Sequence, residues 1–187
     1  MAVKTFTTGE VLTAADTNTY LTNSGLVYVS SGSFSNAATA DITGFTTTFL
    51  FYRVIIDAYR HSGTGSTVVT ATLRTSSAAG TGGYYGAGWK TDYLAASGIV
   101  AARNNGTDFQ IGTVYSQDRT TTTFVDVANV GQATFHPTLS GYYMDTAAAQ
   151  NVTFGYQLAG SNNIDRIRIA CAVNMTGKWR VYGYREP

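Results

Sequence analysis

The sequence predicts an all-β protein: an antiparallel two-sheet sandwich of jelly-roll type, preceded by a short N-terminal helix or arm. Three observations carry this. Runs of alternating apolar and polar residues recur about every 8–15 positions with Gly, Asn and Ser between them. The 187 residues include 13 Tyr, 9 Phe and 20 Gly but only two prolines, and aromatic and β-branched side chains suit a pleated surface. Beyond residue 25 no apolar period of 3.5 or 3.6 residues is sustained.

The first segment differs. Thr13 is placed to cap a helix, and Asp16 falls in its first turn, where the helix dipole favours a carboxylate. Gly25 ends the pattern, and Leu26-Val27-Tyr28-Val29 opens a strand. A helix of roughly eight residues is marginal alone in water, so it is expected to dock. The chain therefore divides into an anchoring arm, residues 1–25, and a β-sandwich, residues 26–187. Val11, Leu12, Tyr20 and Leu21 are the arm's apolar contacts.

Strands are expected at 26–32 and 38–45, and most clearly at 49–60. There Leu50, Tyr52, Val54, Ile56 and Ala58 share the core face, and Phe51, Arg53, Ile55, Asp57 and Tyr59 the other. His61 to Ser66 reads as a glycine-rich hairpin loop. Thr67 to Arg74 is the returning strand, with Val69, Ala71 and Leu73 on one side. Thr75 to Trp89 reads as a long, small-residue loop. Shorter strands follow near 92–95, 98–103, 108–116, 122–129, 132–136 and 139–144. Asn151 to Leu158 and Ile164 to Val173 are strands, the latter with Ile167, Ile169 and Cys171 inward. Lys178 to Arg185 pairs back on it through a turn at Asn174-Met175-Thr176-Gly177, with Trp179 and Val181 inward.

Composition narrows the function. Charged residues make up 12% of the chain, half the usual share, which fits a Thr/Ser/Asn/Gly surface and an oligomer whose interfaces are depleted in charge. The net charge of +1 supplies no field to attract nucleic acid or an anionic membrane. The longest apolar run, near Phe49 to Ala58, is interrupted by Arg53 and Asp57 and is too short to span a bilayer. Cys171 is the only cysteine, so no internal disulfide forms, in keeping with a reducing compartment, and no signal peptide is read.

No catalytic, cofactor-binding or metal-ligating residue is expected. His61 and His136, the only histidines, read as surface turn residues with no nucleophile or paired carboxylate beside them. One cysteine and two distant histidines offer no zinc spacing. Gly80-Thr81-Gly82-Gly83-Tyr84-Tyr85-Gly86 lacks the lysine and helix of a phosphate loop. Asp108 and Asp118 flank one hairpin without forming a recognisable glycosidase pair.

Two clusters remain. Tyr84, Tyr85, Trp89 and Tyr93 form an aromatic group that either caps the sandwich end or offers a contact patch for a glycan or a neighbouring subunit. Arg166, Arg168, Lys178 and Arg180 form a basic stripe, read either as a solvated face or as a subunit contact. Like charges on paired strands repel, so Asp57, Asp165 or an adjacent protomer should neutralise them.

The opening run Gly9-Glu10-Val11-Leu12-Thr13-Ala14-Ala15-Asp16-Thr17-Asn18-Thr19-Tyr20-Leu21, followed by Gly25-Leu26-Val27-Tyr28-Val29, resembles the start of tailed-bacteriophage virion proteins of minor-tail or tail-fibre type. The closing run Asn174 to Glu186 is similar to the final hairpin of small phage structural proteins. This resemblance implies a β-rich, trimeric particle component without enzymatic duty, made in the bacterial cytoplasm and built into the virion beside other virion proteins. Host-surface glycan is a further partner it allows. Two alternatives stand beside the appendage: a capsid decoration or head-fibre protein, and a polysaccharide depolymerase.

Overall fold

The computed structural model describes residues 9, 25–61, 63–75, 78, 82–92, 98–115, 120–130, 135–145, 150–160 and 163–184. The expected helix and arm, with Val11, Leu12, Tyr20 and Leu21, lie outside them. The described residues form ten strands: β1 (Leu26–Thr43), β2 (Phe51–His61), β3 (Ser66–Arg74), β4 (Tyr84–Asp92), β5 (Gly98–Gly106), β6 (Phe109–Tyr115), β7 (Thr121–Ala128), β8 (Thr138–Asp145), β9 (Gln150–Leu158) and β10 (Arg166–Tyr184).

All pairings are antiparallel. The strands join one continuous sheet in the order β5-β4-β9-β8-β7-β2-β10-β3-β6, with β1 also on β10. The all-β, antiparallel expectation therefore holds, but hydrogen bonding does not divide the strands into two separate sheets. Instead the sheet curls until β6 lies over β7 and β8. Two buried threonines of β7 fasten it there: Thr123 Oγ1 donates to the Ile111 carbonyl at 3.0 Å and Thr121 Oγ1 to that of Thr113 at 2.7 Å. Gln110 Nε2 donates to Tyr143 Oη on β8 at 3.1 Å. Each bond satisfies a polar group that the curl removes from water.

The core fills the inside of the curl. Tyr52, Val54 and Ile56 of β2, Val69, Ala71 and Leu73 of β3, and Ile167, Ile169, Trp179 and Val181 of β10 all face it, as alternation predicts. Cys171 is only half-buried, at the core's margin.

Three connections depart from the sequence reading. Residues 26–43 are one long strand, not two. Residues 166–184 are also one strand of 19 residues, so Lys178 to Tyr184 does not fold back on Ile164 to Val173. The turn-like residues serve a double bulge instead. Two steps along β1, from Ala37 to Thr39, correspond to five along β10, from Met175 to Ala170. Asn36 takes a φ of 49°, a region Asn enters more readily than other side chains. Its N–H donates to Thr176 Oγ1 at 3.0 Å and its Oδ1 accepts from Asn174 Nδ2 at 3.2 Å, while Met175 between them is fully buried. Polar residues that signal a turn here bind across a bend in the β1/β10 ribbon.

Likewise β2 and β3 do not form a hairpin. Both run antiparallel to β10, β2 along Met175–Tyr184 and β3 along Arg166–Cys171, so they follow one another in the same direction. His61 is buried rather than exposed at a tip. Its Nδ1 accepts from Gly63 N–H at 2.9 Å and its Nε2 lies 3.0 Å from the Gly65 carbonyl. An accepting Nδ1 leaves the proton on Nε2, which donates to that carbonyl, and the imidazole pins the excursion between the strands.

Candidate contact face

The outward face of the sheet is ordered by strand register. Residues directly opposite on neighbouring strands run in a straight row: Ile99 (β5), Trp89 (β4), Thr153 (β9), Tyr142 (β8), Phe124 (β7), Ile55 (β2), Arg180 (β10) and Ser31 (β1). Eight strands at about 4.8 Å spacing make the row about 34 Å wide. Ile99 is 68% exposed and Trp89 50%. Tyr142 is exposed and stacks on Phe124, with ring centroids 4.7 Å apart and planes at 18°. Met144, exposed on β8, lies one step along the strand.

The next row on the opposite side is built from small residues over β4, β9 and β8: Ala87, Gly155 and Ser140. Beyond it come Tyr85, 42% exposed, and Gln157 opposite it. The small row floors a shallow trough between Trp89 and Tyr142 on one side and Tyr85 and Gln157 on the other. A depression of about 250 Å³ opens beside Trp89 and Ile99, over Ala87, Thr153 and Gly155. A Cβ on Gly155 would meet nothing nearer than the Leu139 carbonyl at 4.0 Å, so the trough is open above that position.

Charges on this face are matched. Arg53 Nε and Nη2 donate to the two carboxylate oxygens of Asp126 at 2.7 Å each, and the Tyr184 ring lies 5.8 Å from the guanidinium carbon. Asp57 sits opposite Lys178 and accepts from Arg180 at 3.3 Å. The face thus offers rings, hydroxyls and amides, with its carboxylates held by arginines. Among the described residues no three His, Cys, Asp or Glu side chains gather as a metal site, and no helix is long and apolar enough to cross a membrane.

The expected aromatic cluster separates into two roles. Residues 84–89 are not loop but the start of β4. Tyr85 and Trp89 point out, whereas Tyr84 points in. At 2% exposure it packs on Phe109, centroid to centroid 5.0 Å, and its Oη accepts the Leu73 N–H at 2.6 Å. Tyr84 is therefore a core residue, not a contact residue. Burial pushes its phenol up to about 12. Tyr93 lies outside the described residues. Tyr142, Phe124, Ile99 and Met144 join the face without having been singled out from sequence, since cross-strand register brings them together.

The basic stripe divides as well. Arg166 and Arg168 stand near one end of β10, Lys178 and Arg180 toward the other, so the two pairs do not oppose each other. Arg168 donates to both oxygens of Asp41 at 2.7 and 2.8 Å. That bond, more than the neighbouring charges, holds the Asp41 carboxyl below its usual range. Arg166 bridges Asp165 at 2.9 Å and Asp41 at 3.6 Å. Asp57 and Asp165 do neutralise part of the stripe, with Asp41 the principal partner on β1. His136 is exposed, as expected of a turn residue. Asp118 lies outside the described residues.

No protein-family model and no curated protein matches this chain.

Proposed function

We propose that the chain is a structural protein of a tailed-phage particle, an oligomeric appendage of tail-fibre or minor-tail type. Residues 1–25 attach it to other virion proteins through Val11, Leu12, Tyr20 and Leu21, and its copies associate as a homotrimer. In this reading the curled sheet is a two-layer, jelly-roll-like body carried on a helical arm. The outward face supplies the contact surface, with Trp89 and Tyr85 its anchors and host-surface glycan or a neighbouring virion protein its target. Weak contacts repeated on several copies raise effective affinity without a catalytic step.

The observation that supports this most is the outward row from Ile99 to Ile55, in which Ile99, Trp89 and Tyr142 are exposed and Phe124 and Ile55 half-buried. Contiguous exposed apolar surface on a folded chain marks an interaction site, and Trp and Tyr are the residues that dominate such sites. Asp57 and Asp126 in ion pairs with arginines favour binding over the paired free carboxylates that a polysaccharide depolymerase requires.

Antibody labelling of purified particles under the electron microscope tests the proposal. Label at the tail supports it; label on the head shell replaces it with the capsid-decoration reading; unlabelled particles refute both. A glycan array on the isolated protein tests the host contact, and shortening of a capsular polysaccharide would establish the depolymerase instead.

A further inference from the structure

Gly155 sits where the fold does not ask for glycine. It lies on β9, between β4 and β8, and both ladders run through it without a break in register. Glycine weakens a strand interior. It is kept there for a bulge or tight bend, for the close approach of another backbone, or for that of a ligand. The unbroken ladders exclude the first. No backbone crowds the position either, since a Cβ would meet nothing nearer than the Leu139 carbonyl at 4.0 Å, and its φ is not positive. Two neighbouring glycines show the contrast. A Cβ on Gly141 would run into the Phe124 carbonyl, and one on Gly86 into the carbonyl of Gly155. The fold requires those two, whereas at Gly155 only the ligand is left.

The surroundings define that ligand. Ala87 and Ser140, opposite Gly155 on either side, keep the floor low. The walls at Trp89 and Tyr85 stand four residues apart on β4, or about 13 Å. The hydrogen-bonding groups between and beside them, on Gln157, Thr153 and Ser140, are neutral, and no outward position of β4, β9 or β8 in these rows carries a charge. An ionic ligand would give up hydration here for nothing that matches its charge. A peptide fits no better. β9 is paired on both sides from Gln150 to Gln157, so amides laid in the trough would find no backbone partners. A sugar ring carries the complementary surface: apolar C–H faces that stack on an indole, and hydroxyls at its edge for amide and hydroxyl side chains.

We infer that the trough binds an uncharged glycan, laid across β4, β9 and β8 over Gly155, with one sugar ring stacked on Trp89 and its hydroxyls bonded to Gln157 and Ser140. This rests on the contact-face reading above and names the ligand of that face; it does not need the phage reading.

The two tryptophans make the test direct. Trp179 is 7% exposed and Trp89 50%, so acrylamide quenching of the full chain's fluorescence reports on Trp89. Titration with neutral gluco-, galacto-, manno- and rhamno-oligosaccharides should give saturable protection by at least one of them, and heparin should give none. Protection by heparin alone, or by nothing, overturns the inference. The contact face survives that result if Trp89→Ala weakens binding to purified virion proteins, and falls with it if that variant binds as the wild type does. Gly155→Val supplies the second arm. A β-branched residue suits an interior strand, so the melting temperature should equal or exceed that of the wild type, while affinity for the protecting sugar should fall at least tenfold. A lowered melting temperature means that the fold needs the glycine, and undiminished affinity means that the trough is not the site; either overturns the inference.

Discussion

Replacing Tyr84 by Phe separates a core role from a contact role with a single oxygen atom. The ring stays, with its packing on Phe109, and no cavity forms. What goes is the acceptor 2.6 Å from the Leu73 N–H, on the stretch of β3 that extends past its last pairing with β6, at Ala71. A buried donor left without a partner costs about 1–3 kcal/mol. For a chain of 187 residues each kcal/mol moves the melting temperature by about 2–4 °C, so a loss of about 2–12 °C is expected at neutral pH. Alkaline titration supplies a second arm. Burial raises the Tyr84 phenol from 10.0 to about 12, against the opposing influence of the Leu73 bond. Below pH 10 the phenol is neutral in both states and its contribution is complete. Between pH 10 and about 12 the unfolded chain ionises first, and stability drains away, by about 2–3 kcal/mol. The Phe variant has no such proton, so its deficit against the wild type should shrink across that window. Urea titrations followed by circular dichroism from pH 7 to 12 measure both. A variant melting within a degree of the wild type, or a deficit independent of pH, would refute the assignment of Tyr84 to the core.

Trp89→Ala should behave in the opposite way: stability within about 0.5 kcal/mol of wild type by urea unfolding, but at least a tenfold loss in binding to whatever ligand a glycan array or particle fraction identifies. Asp41→Asn breaks the bidentate pair with Arg168 and should cost about 1 kcal/mol at pH 7. Because the Asp41 carboxyl is held low, its contribution is present above the ordinary value of 3.8 and lost as pH falls below it. Melts from pH 7 to 2 should therefore show variant and wild type converging. Gly32→Ala would drive a methyl to within 2.6 Å of the Trp179 ring, and overpacking there should lower stability by about 1–3 kcal/mol in a thermal melt.

The strands themselves were legible where one face is consistently apolar. In β2, Tyr52, Val54 and Ile56 are all buried, as their spacing requires, and β3 and β9 follow the same rule. Connections were not legible, because a turn signal states only that the backbone can depart from a strand, not that it reverses. Asn174-Met175-Thr176-Gly177 carries hairpin chemistry, yet Met175 is needed in the core and Asn174 and Thr176 bind Asn36 across the ribbon. The glycines after His61 likewise suggest a reversal. The buried imidazole instead bonds Gly63 and Gly65 and returns the chain to the same edge of β10. In both places long-range pairing decided between two local conformations that the same residues permit.

The contact face depends on strand phase, and phase is visible only when in-phase neighbours are decisive. In β8 the adjacent pair Tyr142-Tyr143 is resolved by Leu139, which lies in phase with Tyr143 and goes to the core with it. In β4 the pair Tyr84-Tyr85 has Gly86 and Gly88 in phase with Tyr84, and glycine prefers neither face, so alternation cannot choose. The partner strand makes the choice: β4 follows β9 residue for residue from Tyr84 opposite Leu158 to Asp92 opposite Gln150. On β9 the buried Val152, Phe154, Tyr156 and Leu158 alternate with exposed Asn151, Thr153, Gly155 and Gln157. Opposed residues share a face. Thr153 therefore carries Trp89 outward, Gln157 carries Tyr85 outward, and Leu158 takes Tyr84 into the core. An amphipathic aromatic takes its side from the strand beside it.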